Sequence, residues 1–567
     1  MTRTRLTPEC KVLLFFRSAA IAFGLLFAWT ARQSSNPDAI CYLDLSDAFR
    51  SGHWNGAINA IWCPLYPALL AMASFLLHPS AYWVFPVVHL VNVAVFLCAL
   101  ASFEFLLSGL RERRRQEAPR LAREGLEALP ESSWTALCYV AFLYGILSLI
   151  QLLTVTPDLC VGTIVLLATG LIIRIQNGDV RARTFAVLGL VLGLGYFSKT
   201  IMLFMGIVFL GLGVCAAQFS RKALPGILSS VVIFLLTISL FMIPLFRSKH
   251  RFTFGDIGRI RYAWSVLHLE NFPQHPEGIP GHGVPLHPYR ILVDEPRVYE
   301  FGSHIAGTYS PAFDMSYWFE GLTFTQEPLK QLPVLWKSIK VYAGIAQVEW
   351  SLVLGLMVLY GLRGRNAHWL EGVASNYVLL LPSLIAFGIF GLMQAEGRYV
   401  GSYVALFIMG IVSGVRLHKG SGSARWIRPL VLAMLIGPVV NVMHGAGSYI
   451  KFEWRVRQGL QTPRCLLDWE VSQALQSSGI KEGDRVASLG TSYGAYWARL
   501  AKTHIVAEAP DADQFWTAPP ASQQRVLKAF QTVGVRAVVG QTDQPEKAGA
   551  GWRQVGRTDY YVYLLNG

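Results

Sequence analysis

The sequence carries little charge for its length. Charged residues make up 15% of the 567 residues and 53% are hydrophobic, whereas soluble domains carry roughly 25% charged residues. This composition excludes an ordinary soluble protein and indicates a polytopic membrane protein. The charge that is present is mostly basic, with 49 Lys and Arg against 35 Asp and Glu and a formal net charge of +14. In a membrane protein such an excess reflects cytoplasmic loops, so we expect no nucleic-acid partner.

Cysteine is also scarce, and a dinucleotide-binding motif is missing. The 8 cysteines lie mostly in apolar segments and show no paired metal-ligand spacing. Cys41 and Cys63 are expected outside the cytoplasm, and a disulfide between them is left open. Residues 490–494 follow a predicted strand but lack the G-x-G-x-x-G spacing, so a structural turn is favoured there over a nucleotide-binding loop.

Long apolar runs recur along the first 445 residues. They fall at residues 12–30, 64–78, 83–109, 134–153, 159–174, 184–198, 200–217, 225–246, 338–361, 374–393, 400–415 and 427–444. A spanning helix needs roughly 20 apolar residues. The run 64–78 is short and begins among prolines, so we interpret it as an interfacial or re-entrant helix. About eleven transmembrane helices then remain.

Basic clusters set the expected topology. They lie at residues 111–115, 174–183, 221–222, 363–365 and 416–428. The positive-inside rule places them in the cytoplasm together with the N-terminus. Residues 31–82 then form a first outer loop and residues 247–337 a long outer loop. We expect a transmembrane domain over residues 1–445 and an extracytoplasmic domain over residues 446–567.

The C-terminal segment alternates strand-like and helix-like patterns. Residues 485–489, 504–507, 536–539 and 560–565 predict strands, and residues 466–476 and 523–532 predict helices. The predicted fold is a polytopic α-helical membrane protein with about eleven transmembrane helices and a small extracytoplasmic α/β domain at the C-terminus.

Three carboxylates follow the first apolar run, and carboxylates near lipid are costly unless they have a function. Asp38 begins a predicted helix, so it is either an N-cap or a catalytic group, and we favour the catalytic role. Asp44 and Asp47 share a helix face. For these two, a solvated face or structural hydrogen bonds are favoured over direct chemistry.

Two further polar residues lie at the ends of apolar runs. Asp158 is at the tip of a hairpin, where it either forms a turn and helix start or faces the same side as Asp38. Lys199 lies between two runs, where it either snorkels to the interface or supplies a point charge for a phosphate. We favour a functional role for both residues.

Glu396, Arg398 and Tyr399 lie at the outer end of a late run. Arg398 and Tyr399 are compatible with an interfacial anchor. Arg398 is also suited to holding a phosphate through two parallel hydrogen bonds, with Glu396 orienting it. We favour the phosphate role.

In this order the motifs resemble those of the GT-C superfamily of polyprenyl-phosphate-dependent glycosyltransferases. The nearest branch holds the lipid A aminoarabinose transferases, the protein O-mannosyltransferases and the RgtA/B/C/D-like proteins. The matching motifs are Asp38-x-x-x-Tyr42, Pro64-Leu-Tyr-Pro67, Asp158, Lys199 after a glycine-rich stretch, and Glu396-Gly-Arg398-Tyr399. The likeness covers about residues 10–445. Ala39 replaces the Glu of many relatives and the doubled Pro-Pro is missing, so acceptor-specific residues are not transferred.

The resemblance implies an inverting glycosyltransferase. It would move a sugar from a polyprenyl-phosphate carrier in the membrane to a hydroxyl of a glycan, lipid or protein outside the cytoplasm. Asp38 would act as general base on the acceptor hydroxyl. Lys199 and Arg398, assisted by Glu396 and Tyr399, would bind the donor phosphate and stabilise the charge on the leaving group.

On the acceptor side the resemblance implies Asp158, Tyr42 and Asp44 as residues that contact the acceptor or the sugar. No cofactor is certain from the sequence. A divalent cation is left open, with Asp158 as its candidate ligand.

Two other classes of function compete with this one. A flippase or transporter of lipid-linked sugars needs polar residues along a path inside the spans. Here the ionisable residues lie mostly at span ends, with Glu104 and His89 as exceptions. A non-catalytic subunit of envelope assembly has no need of Asp38, Lys199 and Arg398 together.

The expected topology can be tested directly. Two reporters are fused after Arg115, with the rest of the chain removed. A reporter that works only in the cytoplasm is expected to be active and one that works only outside it is expected to be inactive, because the cluster at 111–115 stays inside. A reporter fused within residues 247–337 of the chain serves as the outer-face control. Extracytoplasmic activity of the Arg115 fusion contradicts the topology.

Overall fold

The computed structural model describes residues 8–270, 274–301, 306–361, 369–418 and 424–565. The helices before the C-terminal domain are α1 (Pro8–Thr30), α2 (Ala39–Arg50), α3 (Trp54–Ala57), α4 (Leu65–Leu77), α5 (Val84–Arg123), α6 (Glu131–Leu143), α7 (Asp158–Gln176), α8 (Ala182–Ser198), α9 (Ile201–Ala216), α10 (Leu224–Lys249), α11 (Ile257–Ser265), α12 (Ser310–Phe313), α13 (Met315–Trp318), α14 (Pro328–Val348), α15 (Trp350–Gly361), α16 (Trp369–Ala374), α17 (Tyr377–Met393), α18 (Gly397–Ser413) and α19 (Ala424–Arg457).

The C-terminal domain contributes α20 (Arg464–Ser477), α21 (Tyr496–Ala501), α22 (Ala512–Thr517) and α23 (Pro520–Thr532). The strands are β1 (Leu126–Ala128), β2 (Arg290–Val293), β3 (Val298–Glu300), β4 (Arg416–His418), β5 (Arg485–Leu489), β6 (His504–Ala509), β7 (Ala537–Gln541), β8 (Trp552–Gln554) and β9 (Tyr560–Leu564). β1 and β4 form a small antiparallel pair of their own.

The described chain is a multi-pass membrane protein. Within it, six helices are long and apolar enough to cross a membrane, and the bent pair α14 and α15 raises this to seven. The shorter apolar helices are α4, α8, α9, α17 and α18. Every apolar run of the sequence lies in helical structure, and the predicted fold class is confirmed as a polytopic α-helical membrane protein with a C-terminal α/β domain. The number of described helices long enough to span is lower than the expected eleven.

Helix α4 corresponds to the run for which an interfacial position was expected. Its 13 residues extend about 20 Å, whereas the hydrocarbon core of a bilayer is about 30 Å thick. Met72, Phe75, Leu76 and Leu77 on this helix are more than half exposed, as suits a side that faces lipid. The shortness of α4 agrees with an interfacial or re-entrant helix.

The run 338–361 differs from the expected single helix. α14 and α15 meet at Glu349 with an angle of 79° between them. After the bend, the Ser351 hydroxyl donates to the Met434 carbonyl at 3.2 Å and accepts from the Gly437 N–H at 3.0 Å, both on α19. Hydropathy records the length of an apolar segment and not its direction, so the bend left no signal in the sequence.

The C-terminal domain is a seven-stranded sheet with helices on both faces. The strand order is β2-β3-β6-β5-β7-β9-β8, and β5 pairs in parallel with β6 and β7 while the other neighbours are antiparallel. α22 and α23 cover one face, and α20 and α21 cover the other. β2 and β3 come from the long loop, and α19 runs through the expected domain boundary at residue 445. The long loop and the C-terminal segment thus fold together.

Two buried carboxyl groups make the stability of this domain dependent on pH. Burial raises the pKa of Asp468 and that of Glu508 to about 7 each. Because the carboxyls of the unfolded chain ionise near pH 4, the folded protein binds more protons between about pH 5 and pH 7, and its stability falls as the pH rises through this range.

We therefore expect the purified full-length protein to unfold at a lower temperature at about pH 8 than at about pH 5.5. Glu508→Gln, which cannot ionise, is expected to reduce this difference. The measurement is thermal unfolding followed by tryptophan fluorescence. A stability that rises with pH over this range contradicts the burial of these carboxyl groups.

Candidate active site

A cavity of about 710 Å³ lies where the helical bundle meets the long loop and the C-terminal domain. Its walls come from segments far apart in sequence: the start of α2, the turn before α7, the junctions α8–α9 and α17–α18, α11, and the turn after β5. The sequence candidates that line it are Asp38, Tyr42, Asp158, Lys199, Arg398 and Tyr399. The fold thus gathers sequence candidates separated by up to 361 positions, from Asp38 to Tyr399.

Asp38 stands at the N-cap position of α2, yet its side chain makes no capping hydrogen bond. Its carboxylate Oδ2 lies 3.4 Å from Nη1 of Arg398, and the side chain is 32% exposed in the cavity. Capping therefore does not account for this carboxylate. An ionised carboxylate with an accessible oxygen is able to take a proton from a hydroxyl bound beside it.

Asp158 and Lys199 form an ion pair at the base of the site. Asp158 begins α7 after a turn, is 3% exposed, and accepts a hydrogen bond from the Thr156 hydroxyl at 2.9 Å. Lys199 follows α8 in an extended conformation, and its Nζ lies 4.0 Å from the ring centre of Tyr399. Lys199 therefore points towards protein groups and does not snorkel to the lipid interface.

Arg398, in the first turn of α18, is held before any ligand arrives. Its Nε donates to Oε2 of Glu396 at 2.7 Å, and its Nη2 donates to the hydroxyl of Tyr399 at 3.1 Å. Nη1 remains directed towards Asp38 and lies 4.0 Å from Oδ2 of Asp158. Glu396 stands behind Arg398, outside the cavity lining, and orients it.

A close helix contact sets the position of Arg398. α18 crosses a π-helical segment, Tyr144–Ile150, that continues α6. Gly401 and Gly145 face each other there, and a Cβ on either one would collide with the carbonyl oxygen of the other. Arg398 lies about one turn before Gly401, so the two glycines determine where the guanidinium enters the cavity. π-Helical segments of this kind are frequent at functional sites.

Tyr42 and Asp44 have different surroundings although both belong to α2. Tyr42 lines the cavity with its ring edge-on to Trp62 at 5.1 Å and to Tyr66 at 5.4 Å. Tyr66 belongs to the Pro-Leu-Tyr-Pro motif, which therefore supports the wall behind Tyr42.

Asp44, expected on the acceptor side, is not brought to the cavity. It forms an ion pair with Nε of Arg499 at 3.0 Å and accepts from the backbone N–H and the hydroxyl of Thr308 at 2.7 and 2.9 Å. Burial raises the pKa of Asp44, and the Arg499 guanidinium opposes that rise. Asp47 also pairs with Arg499, at 2.5 Å. These carboxylates attach α2 to the C-terminal domain.

One wall of the cavity is apolar. It is formed by residues of α9 and α17, which include Ile201, Phe204, Ile389, Phe390 and Met393. Phe204 is 51% exposed, and Ile207, three residues further along α9, is 59% exposed and does not line the cavity, so the apolar surface of this wall continues along α9 beyond the cavity. A cavity with cations inside and an apolar wall beside the bilayer suits a lipid that carries a phosphate.

Sequence reasoning missed several residues of the cavity. Arg261 and Trp264 on α11, Glu270 after it, and Tyr493 after β5 all line it. Nη1 of Arg261 donates to the Gln394 side chain at 2.8 Å. The sequence feature that could have pointed to α11 is the alternation of charged and aromatic residues in this part of the long loop. Nothing local marked Tyr493, because its place depends on how the C-terminal domain docks.

The sequence left a divalent cation open, with Asp158 as its candidate ligand. Asp158, the expected ligand, is occupied by Lys199 and Thr156, and Asp38 faces Arg398. Among the described residues, no three His, Cys, Asp or Glu side chains are grouped as metal ligands.

The two cysteines expected outside the cytoplasm also line the cavity. Cys41 and Cys63 are both buried and free. Sγ of Cys63 lies 3.5 Å from Oγ1 of Thr200. The pair is thus not joined in this structure.

No family model matches this chain, and no curated protein matches it. Solved structures similar to it include the apo oligosaccharyltransferase of Archaeoglobus fulgidus, with 10% identity over 95% of this chain and 70% of that chain and a TM-score of 0.46. ArnT of Cupriavidus metallidurans bound to undecaprenyl phosphate matches with 13% identity over 97% of each chain and a TM-score of 0.39. AglB of Archaeoglobus fulgidus in complex with an inhibitory peptide and a dolichol-phosphate matches with 12% identity over 93% and 69%, and a TM-score of 0.41.

These structures are members of the GT-C superfamily. No residue of this chain takes its role from them.

The different surroundings of Asp38 and Asp44 predict different effects of removing each carboxylate. Asp44→Ala leaves the N–H and hydroxyl of Thr308 without their acceptor and Arg499 with Asp47 as its remaining carboxylate partner, which is expected to cost about 1–3 kcal/mol. Asp38→Ala leaves Arg398 paired with Glu396, so its cost is expected to stay below about 1 kcal/mol. The free energy of unfolding of each purified variant, measured by denaturation in mild detergent, tests both expected costs. Equal destabilisation by the two substitutions contradicts this division of roles.

Proposed function

We propose that this protein is an inverting glycosyltransferase. It transfers a sugar from a polyprenyl-phosphate carrier to a hydroxyl acceptor on the outer face of the membrane. The observation that carries the proposal is the presence of an accessible carboxylate, Asp38, beside two oriented cations, Lys199 and Arg398, in a single cavity with an apolar wall. This set supplies a base, a phosphate site and a place for a lipid chain.

The donor binds with its phosphate between Lys199 and Arg398. Lys199 offers a compact charge with three N–H donors, and Arg398 offers a fork of N–H donors that matches two phosphate oxygens. The lipid chain leaves along the wall formed by α9 and α17. The sugar then extends into the part of the cavity near Asp38 and Tyr42.

The reaction forms one carbon–oxygen bond and breaks another. The acceptor hydroxyl transfers its proton to the Asp38 carboxylate as its oxygen attacks the anomeric carbon. The bond from that carbon to the phosphate oxygen breaks, and the electron pair leaves with the polyprenyl phosphate. Attack opposite the leaving group inverts the anomeric configuration. Lys199 and Arg398 stabilise the negative charge that develops on the phosphate.

A specific observation disfavours the transporter alternative. Glu104, a carboxylate inside a span, accepts two hydrogen bonds from Arg17 at 2.7 Å and one from the Tyr139 hydroxyl at 2.7 Å. His89 is 1% exposed and contacts the carbonyls of Leu152 and Ser34. Both side chains are hydrogen-bonded within the bundle, so neither is free to bind the polar headgroup of a lipid along a translocation path.

The phosphate site is tested by binding of undecaprenyl phosphate to the purified protein, measured by tryptophan fluorescence. Lys199→Ala and Arg398→Ala are each expected to weaken binding by about tenfold or more, since a charge-assisted hydrogen bond contributes about 1.5–3 kcal/mol. Arg398→Lys is expected to restore little, because an ammonium lacks the planar fork. Arg536→Ala, which removes an exposed partner of Asp484 on the C-terminal sheet, is the control. Unchanged binding in both alanine variants contradicts the site.

The base is tested by Asp38→Asn, which keeps the shape of the side chain and removes its ability to take a proton. Envelope glycans and lipids of cells that carry the wild type, the variant or neither are compared by mass spectrometry. The product is expected to fall by about 100-fold or more, while undecaprenyl phosphate still binds. Glu482→Gln, which neutralises a carboxylate that is 71% exposed on the C-terminal domain and outside the cavity lining, is the control and is expected to keep the product. A product that survives Asp38→Asn rules out Asp38 as the base.

A further inference from the structure

The turn after β5 carries one residue of the C-terminal domain into the candidate active site. Tyr493 lies in this turn, is 42% exposed, and lines the same cavity as Asp38 and Cys41. Thr491, two positions earlier, is exposed and does not line that cavity. Tyr493 is therefore the part of the turn that a substrate in the cavity meets.

A buried carboxyl group holds the turn in place. Glu508 on β6 is 2% exposed and accepts hydrogen bonds from the Ser492 N–H at 3.2 Å and the Ser492 hydroxyl at 2.9 Å. It also accepts from the Tyr309 hydroxyl at 3.0 Å. The Tyr309 ring in turn packs edge-on against the Tyr493 ring, with 5.4 Å between centroids. Glu508 thereby fixes both the backbone before Tyr493 and the ring beside it.

The two sides of the cavity differ in what they can contact. The wall formed by α9 and α17 faces the lipid and suits the donor chain. Tyr493 instead comes from the sheet domain, which is joined to α2 by the Asp44–Arg499 ion pair, and α2 carries Asp38. A side chain on the sheet-domain side of the cavity contacts the molecule that approaches Asp38 from outside the membrane. In the proposed reaction that molecule is the acceptor.

We infer that Tyr493 contacts the acceptor beside the hydroxyl that Asp38 deprotonates, and that Glu508 is its positioning residue. This inference rests on the proposed function. The C-terminal domain then takes part in acceptor selection. Tyr493 offers an aromatic face and a hydroxyl, and Trp62 and Trp264 line the same cavity. Among the described residues the buried indole N–H of Trp264 has no hydrogen-bond partner. This combination suits a sugar ring, which has apolar faces and many hydroxyls, so the acceptor group is a sugar hydroxyl.

The test uses purified full-length protein, membranes from cells that lack it as the source of acceptor, and a fixed excess of donor lipid extracted separately from such cells. Product is measured by mass spectrometry as the amount of membrane is varied at saturating donor, and undecaprenyl phosphate binding is measured separately. Tyr493→Ala is expected to raise the half-saturating amount of acceptor about tenfold, as loss of an aromatic contact does, with unchanged binding of undecaprenyl phosphate. Glu508→Gln is expected to raise the half-saturating amount of acceptor by a smaller factor. Thr491→Ala is the control from the same turn.

The outcomes separate this inference from the function it rests on. If the wild type binds undecaprenyl phosphate and forms product, and Tyr493→Ala does the same with an unchanged half-saturating amount, only the inference is overturned. A loss of undecaprenyl phosphate binding in Tyr493→Ala also overturns it, because Tyr493 then acts on the donor or on folding. Product linked to a protein side chain overturns the sugar acceptor. If the wild type neither binds undecaprenyl phosphate nor forms product, the glycosyltransferase proposal falls and the inference falls with it.

Discussion

Charged groups next to a bilayer are stable only when they are paired, and this constraint organises the structure around Arg398. Its guanidinium contacts Glu396, Tyr399 and Asp38 and lies near Asp158, which pairs with Lys199. The contacts with Glu396 and Tyr399 are local, whereas those with Asp38 and Asp158 join distant parts of the chain. The pairing therefore does two things at once: it satisfies the charges, and it brings the start of α2, the turn before α7 and the ends of α8 and α18 to one cavity.

The same pairing prepares the site for chemistry. Arg398 is held by Glu396 and Tyr399 on one side, so it keeps its orientation when a phosphate replaces Asp38 as its neighbour. Asp38 is then free to face an acceptor. A second set of ion pairs, in which Asp44 and Asp47 meet Arg499, attaches α2 to the sheet domain. The base, the phosphate site and the turn that carries Tyr493 thus belong to one connected framework.

Much of the helical part could be predicted from the sequence, because apolar length and basic clusters are local signals. The strands β5, β6, β7 and β9 were predicted for the same reason. The site residues Asp38, Lys199 and Arg398 were found because each is an ionisable residue at the end of an apolar run. Their proximity required the resemblance, since spacing in the chain does not record it.

The misses have a common physical cause. The bend at Glu349, the joining of β2 and β3 to the C-terminal sheet, and the partner of Asp44 all depend on contacts between distant segments. The resemblance implied a place for Asp44 on the acceptor side, whereas its helix face favoured a solvated face or structural hydrogen bonds. The helix turns Asp44 towards Arg499 and Thr308, where it forms structural contacts. Tyr493 was interpreted as part of a simple turn, which is its local structure, while docking of the domain gives it a place in the cavity.

The most direct test of the central claim is a structure of the full-length protein with undecaprenyl phosphate bound. The account predicts the phosphate within hydrogen-bond distance of Nζ of Lys199 and the guanidinium of Arg398, with the lipid chain along α9 and α17 and Asp38 facing open space on the other side. A phosphate bound elsewhere, with Lys199 and Arg398 still paired only to protein carboxylates, would contradict it.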